Sequence, residues 1–192
     1  SLYQEAITVA RNDGTLPVVR PAGLRIASLV IGDTLHNRFQ QHLGRYARIT
    51  EFRADKVMNR DSTTALLNRL KDFDLVIASV HGTSFKAEKE FGVPQLTLDL
   101  LRRLGDQNEL AFVLFANPYR LVHAYGAQRW AALVCTYEEN EDTQDLAAQL
   151  IFGAIPASGK LPVTASSSFA AGMGERIALN EQTPLRYTLP EA

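Results

Sequence analysis

One cysteine in 192 residues, Cys135, rules out an internal disulfide and leaves the redox compartment open. Its neighbours, AALVCTY, are those of a buried strand thiol rather than of a nucleophile. Neither sign of charge is in excess. With 20 Lys and Arg against 21 Asp and Glu, the formal charge of −1 supplies no electrostatic reason to expect nucleic acid or an anionic membrane as partner. No apolar run is long enough to span a membrane, and no signal-peptide pattern opens the chain. The start at Ser1 without Met reads as an excised fragment of a longer protein. The four histidines, His36, His42, His81 and His123, have no close metal-ligand spacing, so no metal is expected. His36 and His42 read as surface or capping residues. Neither GxGxxG nor GxSxG occurs, which removes the dinucleotide and hydrolase-elbow readings, and no cofactor is implied. Internal repeats and low-complexity segments are likewise missing.

What is present is an alternation of short apolar runs with amphipathic segments. LRIASLVIG (24–32), RITEFRA (48–54), DLVIASVHG (74–82), LAFVLFA (110–116) and RWAALVCTY (129–137) read as strands, most of them apolar on both faces. Between them lie helical patterns. HNRFQQHLGRYA carries Phe39, Leu43 and Tyr46 at helical spacing. STTALLNRLKDF has an N-cap at Asp61 or Ser62 and a stripe of Ala65, Leu66, Leu70 and Phe73. PQLTLDLLRRL is ended by Gly105, and NPYRLVHAYG makes a short helix with Pro118 near its first position. Repeated strand–helix alternation predicts an α/β fold, an open parallel sheet with helices on both faces.

FGAIPASGKLPVT (152–164) looks at first like a phosphate-binding loop. Five residues separate Gly153 from Gly159 where the pattern needs four, and Leu161 replaces the metal-binding hydroxyl. The order is also reversed, because a helix (EDTQDLAAQLIF) precedes the turn and a short strand (KLPVT) follows it. A receiver domain would need an aspartate and a lysine where His81 and Glu138 stand, and a flavin phosphate loop finds only Thr34. Glu138, Glu139, Glu141 and Asp142 lead into a helix, where carboxylates favour the positive end of the dipole.

From residue 111 onward the chain resembles the C-terminal domain of glycoside hydrolase family 3. FVLFANPYRL is similar to that family's strand and Asn-Pro-Tyr turn, and AALVCTYEENEDTQDLAAQLIFGAIPASGKLPVT to its strand, acidic turn, helix and closing segment. ITVARNDGTLPV resembles the lead-in that follows the family's catalytic barrel. The resemblance implies a flavodoxin-like three-layer α/β/α sandwich with a mostly parallel sheet of about six strands. It sets residues 1–165 as the sandwich and 166–192 as an arm or linker. It also makes 152–164 a structural turn, with Gly153 stopping the helix and Pro156 and Pro162 fixing the path.

Its partner would be an N-terminal catalytic barrel of the same polypeptide, absent here, acting on a carbohydrate. In the family's β-glucosidases the acid/base glutamate comes from the loop after the sandwich's third strand. Here that loop is HGTSFKAEKEFGVP, which offers Glu88 and Glu90, with His81 as a candidate for the substrate rim. Both glutamates also read as solvated charges beside Lys86 and Lys89. The loop is short, which favours the β-N-acetylhexosaminidase branch, whose dyad lies in the barrel. Alone, the fragment is expected to be inactive, since glycoside hydrolysis needs two flanking carboxyl groups. TPLRYTLPEA resembles a linker to a further C-terminal domain in bacterial members, implying a periplasmic or cell-surface parent. The rival is a free-standing flavodoxin-like module binding a small ligand between Asp33, His81 and Asn117.

Overall fold

A computed structural model describes residues 7–33 and 37–183. Six strands form one sheet: β1 (Thr8–Asn12), β2 (Ile26–Ile31), β3 (Ile49–Ala54), β4 (Leu75–Val80), β5 (Leu110–Leu114) and β6 (Ala132–Cys135). Their order is β1-β6-β5-β4-β2-β3, parallel throughout except for β1, which runs antiparallel to β6. Four helices cover the sheet: α1 (Arg38–Leu43), α2 (Arg60–Leu70), α3 (Gln95–Gln107) and α4 (Glu141–Ile151).

Every residue of β2, β4, β5 and β6 is buried, so each strand feeds two cores. On one face Leu66, Leu67, Leu70, Leu98, Leu101 and Leu104 of α2 and α3 pack with Leu29, Ala78 and Phe112. On the other, Phe39, Leu43, Ala147 and Ile151 of α1 and α4 pack with Ile26, Ile77 and Val113. The result is the three-layer α/β/α sandwich that the alternation predicts.

Several boundaries differ from the sequence reading. Its lead-in is in fact an edge strand, with Thr8 opposite Cys135 and Asn12 opposite Ala132. KLPVT is no strand, because Pro162 has no N–H to give a ladder. There the Leu161 N–H donates to Met173 O (2.8 Å), and Leu161 O accepts from Gly172 N–H (2.8 Å). The first helix stops at Leu43, with Gly44 as its C-cap, and does not reach Tyr46. Helix α2 is capped two or three residues before Asp61 or Ser62: the Asn59 side chain accepts from Ser62 N–H at 2.8 Å, and Leu67 rather than exposed Ala65 joins the buried stripe. Removing that cap with Asn59→Ala is expected to cost about 1 kcal/mol, read as a Tm drop of about 2–4 °C. Helix α3 runs through Gly105 to Gln107.

The turn after α4 is as expected. Gly153 takes φ +73°, and its N–H donates to Leu150 O, closing the helix. Between 166 and 183 the chain packs on the sandwich. Phe169 and Ile177 are buried, and Ile177 pairs with Ala157 and Glu175 with Val9. Of TPLRYTLPEA, all but Thr183 lies outside the described residues.

Candidate functional site

In an open α/β sheet the place to look is the crevice at the carboxyl ends of the strands, where the strand order reverses. Here that reversal falls between β2 and β4, since β3 lies outside β2 and the chain then crosses back. The strand ends deliver Gly32 and Asp33, His81 and Gly82, and Tyr137 to Glu139.

His81 is buried, 1% exposed, with its ring against Phe115 (5.3 Å) and Phe39 (6.5 Å). Both ring nitrogens are engaged. Nδ1 donates to Glu139 Oε1 at 2.8 Å, and the Ser79 hydroxyl lies 2.7 Å from Nε2. The second Glu139 oxygen accepts from Thr83 N–H at 3.0 Å, and the Thr83 hydroxyl donates to Phe115 O at 2.7 Å. Burial pushes the Glu139 carboxyl up, but the hydrogen bonds from His81 and Thr83 outweigh it and hold the group below its ordinary value. Glu139 therefore departs from the dipole role expected of its acidic run. Glu141 and Asp142 do occupy the first turn of α4, behind an Asn140–Thr143 capping box.

Lys56 fills the crevice itself. Its Nζ donates to Gly82 O and to Gly92 O, each at 2.7 Å. Burial lowers the Lys56 pKa, with Glu139 opposing. The stem passes against Gly32, which has φ +90°; a Cβ there would lie 2.4 Å from Lys56 Cε and 2.9 Å from His81 O.

The loop between His81 and α3 carries the other candidates. Glu88 is exposed. Glu90 Oε1 is 3.2 Å from Nη2 of Arg120, a guanidinium only 4% exposed whose Nε donates to Val93 O at 2.7 Å. Glu90 and Phe91 both take positive φ (51° and 54°). The cleft over these strand ends is about 70 Å³, lined by Thr83, Phe85, Phe115, Tyr137 and Glu139 among others, room for about two waters. Of the larger hollows, one of about 230 Å³ lies beside Lys56, lined by Met58, Arg60, Leu96, Asp99 and Arg103 among others, and one of about 670 Å³ lies at the opposite edge of the sheet between Pro21–Ile26, Tyr46–Arg48 and Phe73. That edge carries none of the candidate carboxylates.

The residues of the rival ligand site turn to separate partners. Asp33 accepts from Asn37, and Asn117 Oδ1 accepts from Tyr119 N–H to cap a short 3-10 turn. Thr34 and His36 lie outside the described residues. His42, expected at the surface or as a cap, is buried between α1 and α4: its Nε2 sits 3.0 Å from Asp145, which also receives Arg38 Nε and Nη2 at 2.7 and 2.6 Å. Burial pushes the His42 pKa down, against the pull of Asp145. Cys135 is fully buried and its thiol is pushed up to about 12, which makes it inert. Among the described residues no group of three or more His, Cys, Asp or Glu is placed to hold a metal ion, and no helix is long and apolar enough to cross a membrane.

Sequence reasoning missed Glu139, Lys56 and Arg120. The available signal was the set of glycines at the strand and loop ends: Gly32 leaves room for the lysine stem, and Gly92 lets the returning leg of the loop approach the backbone of Gly82 to Ser84.

No family model matches the chain, and no curated protein matches it. Solved structures do. A fungal multi-domain GH3 β-N-acetylglucosaminidase superposes with TM-score 0.63 and 19% identity over 92% of this chain and 19% of its own. A glycoside hydrolase family 3 β-N-acetylglucosaminidase from Paenibacillus sp. gives TM-score 0.64 and 11% identity over 91% of this chain and 32% of its own. A β-glucosidase from Listeria innocua gives 0.62 and 16% over 82% and 25%. The likeness is one of fold: this chain has the architecture of a region within longer glycosidases, and it spans between 19% and 32% of their lengths.

Proposed function

We propose that this chain is the accessory C-terminal domain of a family 3 glycoside hydrolase, of the β-N-acetylhexosaminidase branch, packing on a catalytic barrel and inactive alone. The observation that carries the reading is the match of nearly the whole chain to a minor part of such enzymes. The crevice supports it from the other side. At the strand ends the chain's own histidine and glutamate leave a cleft of about 70 Å³, and the hollow beside Lys56, about 230 Å³, is smaller than a flavin site needs. That counts against the free-standing ligand-binding module. The surface a catalytic domain would cover is at the same end: Phe85, Tyr119, Val122 and Tyr125 are exposed there, on the loops after β4 and β5.

The loop supports the branch assignment. Glu90 is tied to buried Arg120 and Glu88 is an exposed carboxylate beside Lys86 and Lys89, an arrangement that supports a catalytic pair held by the barrel. The similarity of the tail to an interdomain linker of bacterial members supports a periplasmic or cell-surface parent.

The test is activity of this domain joined to its catalytic domain on N-acetylglucosaminide and glucoside substrates, beside Glu88→Gln/Glu90→Gln and beside this chain alone. Preference for the acetylated sugar that survives the double change is expected, with no turnover by the isolated chain. A preference for glucose, with activity that falls about 100-fold or more in the double variant, would instead make the 82–94 loop the source of the general acid. Turnover by the isolated chain would overturn the accessory role.

A further inference from the structure

We propose that Lys56 is a positioning residue whose ammonium pins the neck of the 82–93 loop, so that this loop meets the catalytic domain already in its final shape. The inference rests on the reading above only for the loop's purpose. The pinning is carried by the geometry within this chain.

One ammonium accepts the load at both ends of the loop. Gly82 O and Gly92 O, ten residues apart, each lie 2.7 Å from Nζ. Lys56 is itself fixed from a third element, because the Thr97 hydroxyl in the first turn of α3 donates to Lys56 O at 2.7 Å. Gly32 at the end of β2 provides the passage for the stem, since a Cβ there would strike Cε and Cγ. Inside the neck the loop folds on itself. Ser84 N–H donates to Phe91 O (2.9 Å), Phe91 N–H to Lys86 O (3.1 Å) and Val93 N–H to Glu90 O (3.0 Å). Arg120 holds the returning leg through Val93 O and Glu90.

A charged tether is needed because the loop holds itself poorly. Residues 86–92 are exposed or half-buried, so they gain little from burial. Glu90 and Phe91 sit in a region costly for side chains, and such strain persists only where the surroundings impose it. What the pinned loop presents is Phe85, 79% exposed, with Lys86 and Glu88 beside it. An aromatic side chain on a preformed loop is the kind of group that anchors a protein contact, because little ordering entropy remains to be lost on docking.

Amide exchange and trypsin cleavage on this chain test the inference. In the unaltered protein the amides of Ser84, Phe91 and Val93 are expected to be protected. In Lys56→Met, which keeps the stem and removes the charge, that protection is expected to fall about 10-fold or more. Cleavage after Lys86 and Lys89 should quicken by a similar factor, while amides of β4 and β5 stay unchanged. Lys56→Cys alkylated with 2-bromoethylamine rebuilds an ammonium at the same reach, and it should restore the loop; Cys135, buried, is spared. Three results would overturn the proposal: a loop unprotected in the unaltered protein, no local loss in Lys56→Met, or a loss spread evenly over the sheet. A variant that fails to fold would place Lys56 in general stability and overturn it equally. None of these outcomes touches the activity test, so the two readings fail separately.

Discussion

Replacing Glu139 with alanine is expected to destabilise the protein by about 3–5 kcal/mol, the largest loss from any single polar group at the strand ends. Two donors converge on this carboxylate, His81 Nδ1–H and Thr83 N–H; the Thr83 hydroxyl, 3.2 Å away, gives its proton to Phe115 O. The side chain is 19% exposed and the imidazole 1%, so a water entering from the small cleft recovers the lost acceptor for His81 only in part. A buried N–H left without a partner keeps its full desolvation cost. Glu139→Gln fills the same space but offers one oxygen and an NH₂ group, so it satisfies His81 or Thr83 and confronts the other with a donor. A loss about half as large is expected for it. For a domain of this size, urea unfolding of Glu139→Ala should be matched by a Tm about 8–15 °C lower. A loss under about 1 kcal/mol would show that the His81–Glu139 pair does not hold the strand ends together.

The same pair sets an acid limit. Glu139 is held below its ordinary value in the folded state, so its contribution is complete above about pH 4.5, where the unfolded carboxyl is ionised. It is lost as pH falls through the lower folded value. His42 acts in the same direction. Its folded pKa is depressed by burial, so below about pH 6.5 the unfolded chain takes up a proton that the folded chain resists. Stability should therefore decline on acidification from about pH 6.5, first through His42 and then through Glu139. Glu139→Gln should flatten only the lower part of that decline.

The order of elements was legible because the central strands are apolar on both faces and the helices carry stripes. That is a pattern of burial, and burial is what the sheet imposes. The edge strand β1 was not. TVARN alternates into Arg and Asn and is half-buried at its end, as an edge permits, so nothing in it announces a sixth strand. KLPVT has strand-forming residues, yet Pro162 and the turn at 170–173 commit it to local pairing. The candidate site was hidden for another reason. His81 and Glu139 lie 58 residues apart, and Lys56 reaches Gly82 and Gly92 across 26 and 36. Contacts at such separation leave no local period. Only the topology brings the ends of β3, β4 and β6 together, and a rule about strand ends names the place without naming the pairs.

Gly105 shows how far a local rule carries, and it supports the second large effect. Inside a helix, glycine costs about 1 kcal/mol relative to alanine, so propensity alone predicts that Gly105→Ala stabilises α3. The surroundings predict the opposite sign. A Cβ at 105 would lie 2.4 Å from Trp130 Cδ1 and 2.6 Å from Nε1. The indole cannot swing away: it is 1% exposed and meets Phe112 edge-on at 5.3 Å between centroids. Either the ring leaves its rotamer or α3 lifts from the sheet, and both open the layer that Leu101, Leu104 and Leu110 close. Overpacking of this kind costs about 1–3 kcal/mol, and the rigid neighbour puts Gly105→Ala at the upper end even after the propensity gain. Gly105→Ala/Trp130→Leu removes the obstacle, so in that background the alanine should become neutral or stabilising. Equilibrium unfolding of the four proteins decides it. An alanine that stabilises the unaltered background would mean that α3 and Trp130 shift apart freely, and that glycine at 105 is not required for the helix to sit on the sheet.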